Sequence, residues 1–394
     1  MVSFIHTADW QIGKPYLQIK DEQKRFKLQE ERLKAIKRIG EAANYHKSSF
    51  IIVAGDLFDS PTPQITAVLE VLEAIGNIDI PVFVIPGNHD HGSLGTIWHR
   101  EDFKNHQKQM APNFQLFLKK EPYEIENSIL LPCPLLRNKE SSDPTLWLRN
   151  FNWNSLPKKK SRIVIAHGAV QNFAGRNYLL NQETQIRSHN LIDLEKLQRD
   201  EIDYIALGDW HNLKQINSHT WYSGTPEPDR FDHGQENHRG QVLNVNISRG
   251  GNPQVESIQT GKIKWHNMTF QFNNERDLDR FKRQIENLIG TRVSRDLLRI
   301  EISGGLSFAA HRKYQEITTD LENKLLRLRI KGECLQIPKD SELETLTRNL
   351  EDPLIAQVAS ELKQRLTVEN INDHEKSSIT IEALSELFRF AVNN

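Results

Sequence analysis

Cysteine is scarce in this sequence, and its scarcity excludes one class of protein and argues against another. Only Cys133 and Cys334 occur, far apart and without the close spacing of a zinc finger. The same scarcity fits a reducing compartment better than a secreted fold built on disulfides. No stretch approaches the roughly 20 apolar residues that span a bilayer. Because the chain enters its first strand without a basic and apolar leader, we expect a soluble, cytoplasmic protein with no membrane contact.

An excess of charge of one sign is also absent. The 394 residues carry a formal net charge of −1, so no global basic surface indicates a nucleic-acid partner. Any affinity for DNA must therefore come from local patches, from bound metal ions or from a partner protein. The length allows one large domain together with smaller ones.

Five short apolar runs have the length and the β-branched content of buried strands. A segment of oxygen and nitrogen ligands follows each run. Because open α/β sheets place ligands beyond the carboxyl ends of their strands, we expect these segments to converge. The runs are residues 4–5, 50–53, 82–85, 163–165 and 204–207. The polar segments are residues 9–11, 55–59, 87–90, 167–168 and 208–211, with residues 223–226 as a sixth.

These ligand types predict a centre for two divalent cations that hydrolyses phosphate esters. Two cations about 3.5–4 Å apart can hold a hydroxide and clamp the attacking and leaving oxygens of an in-line displacement at phosphorus. Such a centre needs a carboxylate that bridges the two ions. A single segment of this kind is usually an ordinary turn, but their ordered recurrence behind apolar strands indicates a site.

The motifs and their order resemble the calcineurin-like metallophosphoesterases, and among them the SbcD-type nuclease subunits. The resemblance implies Asp9, Gln11 and His211 as ligands of one metal, Asn88, His167 and Asp209 as ligands of the other, and Asp56 as the bridge. It also places His89 against the scissile phosphate, where an imidazole can stabilise the transition state or protonate the leaving oxygen. Asp59 is the candidate for orienting His89.

Two residues depart from the family pattern. Gln11 and Asp209 each stand where the family usually has a histidine. Both supply oxygen in place of nitrogen, and oxygen-rich sites suit Mn²⁺ and Mg²⁺. We therefore predict two divalent ions, Mn²⁺ in the first place and Mg²⁺ as the alternative. A neutral amide is a weaker ligand than an imidazole, so the ion beside Gln11 is expected to be held loosely.

The apolar patterns predict an α/β protein, a four-layer α/β/β/α sandwich followed by smaller parts. Residues 21–47 and 65–75 have the pattern of helices on the sheet, and residues 242–245 are expected in the second sheet. We predict a metallophosphoesterase domain over residues 1–262, an α+β capping domain over 263–336 and C-terminal helices over 337–394. The capping region is expected to have a β-α-β-β-α-β-like order, which the resemblance associates with guiding DNA.

The C-terminal region carries two amphipathic helix patterns. Asp352 as N-cap and Pro353 at the first helical position open the first of them. Such helices can fold back on their own domain or dock into a partner's groove. The resemblance implies that they bind an SMC-type ATPase of the SbcC kind.

The function implied by the resemblance is that of a metal-dependent DNA nuclease subunit. It would act as an exonuclease on duplex ends and an endonuclease on single strands, as a homodimer formed through the phosphoesterase domain, in double-strand-break processing or repair. Two alternatives remain open. Gln11 and Asp209 are compatible with a weakly active or inactive DNA-end-binding scaffold for the ATPase. The same metal core also serves phosphodiesterases of small phosphate esters.

Overall fold

The chain forms two compact units, Met1–Ile263 and Lys264–Asn394. The structure is a computed structural model that describes residues 1–171, 189–231, 238–292, 294–348, 352–369 and 374–393. Each unit has an apolar core of its own. The predicted division into a phosphoesterase domain over residues 1–262, a capping domain over 263–336 and C-terminal helices over 337–394 remains a prediction.

In the described part of the first unit, the strands form two mixed six-stranded sheets and one two-stranded sheet. In chain order they are Val2–Thr7 (β1), Phe50–Ala54 (β2), Val82–Ile85 (β3), Phe114–Leu116 (β4), Tyr123–Ile125 (β5), Ser128–Cys133 (β6), Ser161–His167 (β7), Ala169–Val170 (β8), Leu191–Ile192 (β9), Tyr204–Gly208 (β10), Lys214–Asn217 (β11), Thr220–Tyr222 (β12), Gln241–Ile247 (β13) and Gln254–Gln259 (β14). One sheet has the order β14-β13-β1-β2-β3-β4 and the other β11-β12-β10-β7-β6-β5, while β8 pairs with β9.

The expectation that residues 242–245 belong to the second sheet is wrong. They lie in β13, which pairs antiparallel with β1 in the first sheet and aligns Val245 with Phe4. Leu243 and Val245 pack between the sheets, whereas Val242 packs on the opposite face. The apolar pattern of a short strand shows only that both of its faces are buried. Because strands of either sheet are buried in this way, the pattern does not identify the sheet.

Alternating side chains fill the space on both faces of the sheets. In β1, Phe4 points into the core between the sheets, and Ile5 points to the helices on the outer face. In β7, Ile163 faces the core between the sheets and Val164 faces outward. Because successive side chains of a strand point to opposite faces, continuous apolar runs are what strands buried on both sides require. The predicted four-layer sandwich is confirmed.

Among the residues that the structure describes, three helices are associated with the first sheet, Glu22–Tyr45 (α1), Ile65–Gly76 (α2) and Glu101–Met110 (α3). The predicted helices over residues 21–47 and 65–75 correspond to α1 and α2. Asp21 is the N-cap of α1, and its carboxylate accepts a hydrogen bond from the Lys24 N–H at 3.0 Å.

His6 connects the two sheets as a neutral imidazole. Its Nε2 lies 3.2 Å from the Leu207 carbonyl oxygen and its Nδ1 lies 3.0 Å from the Tyr204 hydroxyl. Because a carbonyl only accepts, Nε2 carries the proton and Nδ1 accepts from the hydroxyl. Burial lowers the pKa of His6 from 6.5 to about 3, although the Leu207 carbonyl opposes the change.

Acidification is expected to destabilise the fold through His6. Below pH 6.5 the unfolded chain takes up a proton at His6 that the folded chain does not bind. The free energy of unfolding therefore falls, by about 2 kcal/mol between pH 7.5 and 5 from this group alone. Urea unfolding of the wild type and of His6→Gln at both pH values measures the effect, and the variant should have the smaller pH dependence. Equal pH dependence in the two proteins would contradict it.

The second unit is a parallel sheet with helices. Its elements are Lys264–Phe272 (β15), Asp277–Ile289 (α4), Asp296–Leu306 (β16), Phe308–Lys324 (α5), Arg327–Gly332 (β17), Leu335–Gln336 (β18), Asp340–Thr347 (α6), Pro353–Glu369 (α7) and His374–Asn393 (α8). β16 lies between β15 and β17, and β18 also pairs with it, all in parallel. The expected β-α-β-β-α-β order is wrong, because the observed order along the chain is β15-α4-β16-α5-β17-β18. The helices α4 and α5 are the long crossovers that parallel neighbouring strands require.

The C-terminal helices pack within their own unit. The predicted cap of α7 is present, with the Asp352 carboxylate accepting from the N–H groups of Leu354 and Ile355 at 3.1 and 3.2 Å. Ala359 of α7 and Leu384 of α8 are fully buried in one apolar cluster. The predicted apolar stripes therefore have an intramolecular partner. Among the described helices, none is both long enough and apolar enough to traverse a bilayer.

Candidate metal centre

Three side chains from distant parts of the sequence meet where strands of both sheets end. Asp9 follows β1, Asp56 follows β2 and His167 is the last residue of β7. All three are buried, and one ligand atom from each lies within 4.8 Å of those of the other two. The convergence expected from the strand ends therefore occurs for these residues, which we call the buried triad.

Left-handed backbone at the strand ends positions several of the predicted ligands. Asp9, Gln11, Asp56 and Asp209 have φ values of 54, 44, 56 and 97°. Residues other than glycine seldom adopt this left-handed conformation, and several such residues close together are typical of a functional site. The Asp9 N–H donates to the Gly55 carbonyl at 3.0 Å and the Gln11 N–H to the Asp56 carbonyl at 2.8 Å, which joins the two loops.

Gly55 is needed for the approach of His167 to the loop. It has a φ of 93°, and a Cβ at this position would lie 2.2 Å from the His167 Nδ1. That nitrogen lies 2.8 Å from the Ala54 carbonyl oxygen and must donate to it. In the neutral ring the lone pair is consequently on Nε2, the nitrogen that lies nearest to the other ligands.

The surroundings of His167 Nε2 fit a divalent cation. The Asn88 Oδ1 lies 2.9 Å from it and an Asp56 carboxylate oxygen 3.6 Å. A lone pair, an amide oxygen and carboxylates form a donor set suited to a hard or borderline cation.

Burial acts to lower the pKa of His167, but Asp56, Asp9 and Asp209 outweigh it and raise the pKa to about 9. Burial raises the pKa of Asp9 to about 6. Cation binding must therefore displace protons from the triad.

His89 lies beside the triad and is 39% exposed at its side chain. Its backbone N–H donates to Asp56 Oδ1 at 2.9 Å, and its Nε2 lies 3.9 Å from Asp56 Oδ2. The predicted orienting residue, Asp59, contacts His89 mainly through its main chain: the carbonyl oxygen is 3.1 Å from Nδ1 and the carboxylate 3.8 Å. The ring can therefore meet a substrate from the solvent side.

The predicted ligands Gln11, Asp209 and His211 lie next to the triad but do not belong to it. The Asp209 backbone N–H donates to both carboxylate oxygens of Asp9 at 3.2 Å. His211 Nε2 lies 4.0 Å from an Asp9 oxygen and 3.3 Å from Gln11 Nε2. The Gln11 Nε2 also lies 3.4 Å from Asp56 Oδ2. Two of the residues expected to hold the first cation, Gln11 and His211, are thus already hydrogen-bonded to each other.

Two buried charged residues that support the centre were not predicted from the sequence. The Asp90 carboxylate accepts from the N–H groups of Gly87 and Phe58 at 2.8 and 3.0 Å, which ties two ligand loops together. Burial raises the pKa of Asp90 to about 7. Arg32 donates to the Trp10 carbonyl at 2.6 Å and so holds the loop behind Asp9 from helix α1. A charged residue on the apolar face of a predicted helix was the available signal for Arg32.

The comparison with known protein families decides the identity of the fold. A profile of calcineurin-like phosphoesterases matches residues 2–233, which is more than half of the chain. The chain belongs to this family. The resemblance inferred from the motifs is thereby confirmed. Membership in the phosphoesterase family implies divalent metal ions, and the buried triad with Asn88 has the donor set to hold one.

Two relatives of this phosphoesterase carry the same name, DNA double-strand break repair protein Mre11. The protein from Methanosarcina acetivorans is 28% identical over 235 residues, which are 57% of this chain and 34% of that protein. The protein from Methanococcus maripaludis is 24% identical over 301 residues, which are 73% of this chain and 74% of that protein. The chain therefore spans about a third of the first relative and about three quarters of the second.

Proposed function

We propose that this phosphoesterase is a metal-dependent DNA nuclease subunit of double-strand-break repair. The observation that carries the proposal is the buried triad Asp9–Asp56–His167 with the solvent-accessible His89 beside it. A buried cation site with an open imidazole at its edge is suited to a large, charged phosphodiester that approaches from solvent. The names of the two repair relatives support DNA as that diester.

The chain's own residues divide the work of the reaction. Asp9, Asp56, His167 and Asn88 would hold the cation, which when bound supplies Lewis-acid activation at the phosphate. His89 donates its Nδ1–H to the Asp59 carbonyl, which leaves Nε2 on the side of the Asp56 carboxylate, 3.9 Å from its Oδ2. In its protonated form Nε2–H can donate to a phosphate oxygen or to the leaving oxygen. Asp90 and Arg32 keep the ligand loops in place through buried hydrogen bonds.

We assign exonuclease action on duplex ends and endonuclease action on single strands, Mn²⁺ as the preferred ion, and a homodimer formed through the phosphoesterase domain. Residues 263–336 would guide DNA and residues 337–394 would bind an SMC-type ATPase. The exposed Leu354 and Phe390 on the helices of that last part support a protein partner. The cytoplasmic assignment is supported by Cys133 and Cys334, which are free thiols.

Cleavage assays with Mn²⁺ separate this proposal from its two competitors. We expect degradation of linear duplex DNA and cleavage of circular single-stranded DNA, with little turnover of cyclic nucleotides. Binding of DNA ends without cleavage would favour the inactive scaffold, and fast turnover of small esters alone would favour a small-molecule phosphodiesterase. Asp9→Asn, purified in the same way, controls for contaminating nucleases because it alters only a triad carboxylate.

A further inference from the structure

A closed ring of four polar side chains lies where the ligands of a first cation were predicted. Lys14 Nζ lies 2.6 Å from Gln11 Oε1 and 3.3 Å from Asp229 Oδ2. Asp229 Oδ2 lies 3.0 Å from His211 Nδ1, and His211 Nε2 lies 3.3 Å from Gln11 Nε2. We call Lys14, Gln11, His211 and Asp229 the lysine ring.

The chemistry of the four groups determines the direction of each hydrogen bond. An ammonium has only hydrogen-bond donors, so the amide atom of Gln11 that meets Lys14 must be the oxygen. The Gln11 NH₂ group is then directed at His211 Nε2 and Asp56 Oδ2, and both of these can accept. The His211 Nδ1–H donates to the carboxylate of Asp229, which leaves the lone pair on Nε2 to accept from Gln11. Every donor in the ring therefore meets an acceptor.

This arrangement conflicts with coordination of a first cation. Gln11 presents N–H groups to the centre where a ligand must present a lone pair, and its oxygen is held by Lys14. The lone pair of His211 is also in use. Lys14 further lies 3.6 Å from an Asp59 carboxylate oxygen, so a positive charge already interacts with the acidic groups on this side. A second divalent ion would have to break the ring and approach the ammonium.

We propose that Lys14, held by Gln11, takes the place of the first cation, so that the protein binds one divalent ion firmly and not two. The Lys14 ammonium then supplies the second positive charge of the centre. This inference rests on the proposed function for its catalytic meaning, but the number of bound ions can be measured without any reaction. The resident ion would be held by the triad and Asn88, outside the lysine ring.

Titration of Mn²⁺ into the metal-free protein tests the proposal. We expect one firm site per chain in the wild type by calorimetry and metal analysis. The double variant Gln11→His/Lys14→Ala removes the ammonium and restores an imidazole, and should gain a second site at least about tenfold tighter than any in the wild type beyond the first. Its electron paramagnetic resonance spectrum should then contain the signal of a coupled Mn²⁺ pair.

Two further variants keep the outcome interpretable. Lys14→Met removes the charge but keeps the length of the side chain, and should strengthen weak second-site binding even if the double variant folds poorly. Lys20→Ala, which removes an exposed lysine of the same loop, should leave one firm site. Two firm sites of similar affinity in the wild type, or unchanged stoichiometry in both Lys14 variants, would overturn the proposal. One firm site without DNA cleavage would instead count against the proposed nuclease function.

Discussion

Replacing Asp56 by asparagine is expected to abolish firm Mn²⁺ binding and to lower DNA cleavage by about 10³-fold or more. Asp56 is nearly fully buried and contacts three functional groups: the His89 N–H at 2.9 Å, Gln11 Nε2 at 3.4 Å and His167 Nε2 at 3.6 Å. The amide keeps the size of the side chain but removes the charge that a cation requires. Calorimetric titration of Mn²⁺ and cleavage of linear duplex DNA measure the two effects.

The metal-free Asp56→Asn protein should remain folded. The carboxylates of Asp9 and Asp90 interact unfavourably with Asp56 in the buried centre. Removing one of these like charges relieves repulsion, but it also removes the attraction of Asp56 for the protonated His167 imidazole, so the two effects oppose each other and we expect a melting temperature close to that of the metal-free wild type. Asp102→Asn makes the same chemical change on an exposed residue and should leave metal binding intact. Unaltered Mn²⁺ affinity in Asp56→Asn would remove the basis for the metal centre.

Replacing His89 by glutamine is expected to lower kcat on DNA by 10²- to 10⁴-fold, about the contribution of one general acid. Metal affinity should change little, because the contact of His89 with the Asp56 carboxylate oxygen at 2.9 Å is made by its backbone N–H. Steady-state cleavage and Mn²⁺ titration of the same preparation separate the two quantities. His91→Gln, two residues along the chain and hydrogen-bonded to Ser93 Oγ, is the matched control.

The leaving group of the substrate distinguishes two roles of His89. If the imidazole protonates the leaving oxygen, the loss in His89→Gln should be large for DNA and small for an aryl phosphodiester whose leaving group needs no proton. If it only stabilises charge on the phosphate, both substrates should lose rate equally. Full activity of the variant on both would falsify a catalytic role for this histidine.

Much of the fold could be predicted because burial on both faces leaves a readable signal. The apolar runs over residues 50–53, 82–85 and 204–207 lie within strands, and the polar segments behind them begin at the strand ends. The same signal does not show which strands lie beside one another in a sheet. It placed residues 242–245 in the wrong sheet, because pairing depends on contacts between residues far apart in sequence. The β-α-β-β-α-β-like order of elements expected for the second unit was also wrong.

The candidate site shows the same division at the level of side chains. Asp9, Asp56 and His167 could be chosen from their motifs, and the structure brings them within reach of one cation. The role of Gln11 could not be chosen in this way, since an amide can present either oxygen or N–H to a neighbour. Only the position of Lys14, three residues along a turning loop, determines which of the two faces the centre.

The sequence by itself determined the family, the strands that end at the centre and the acidic and imidazole groups that gather there, because these follow from local patterns of burial and residue type. The tertiary structure decided which strands pair, that Asp90 and Arg32 hold the ligand loops, and that Lys14, Gln11, His211 and Asp229 close into a ring. Hydrogen-bond direction and the balance of buried charge depend on atoms within about 4 Å, and folding alone brings those atoms together.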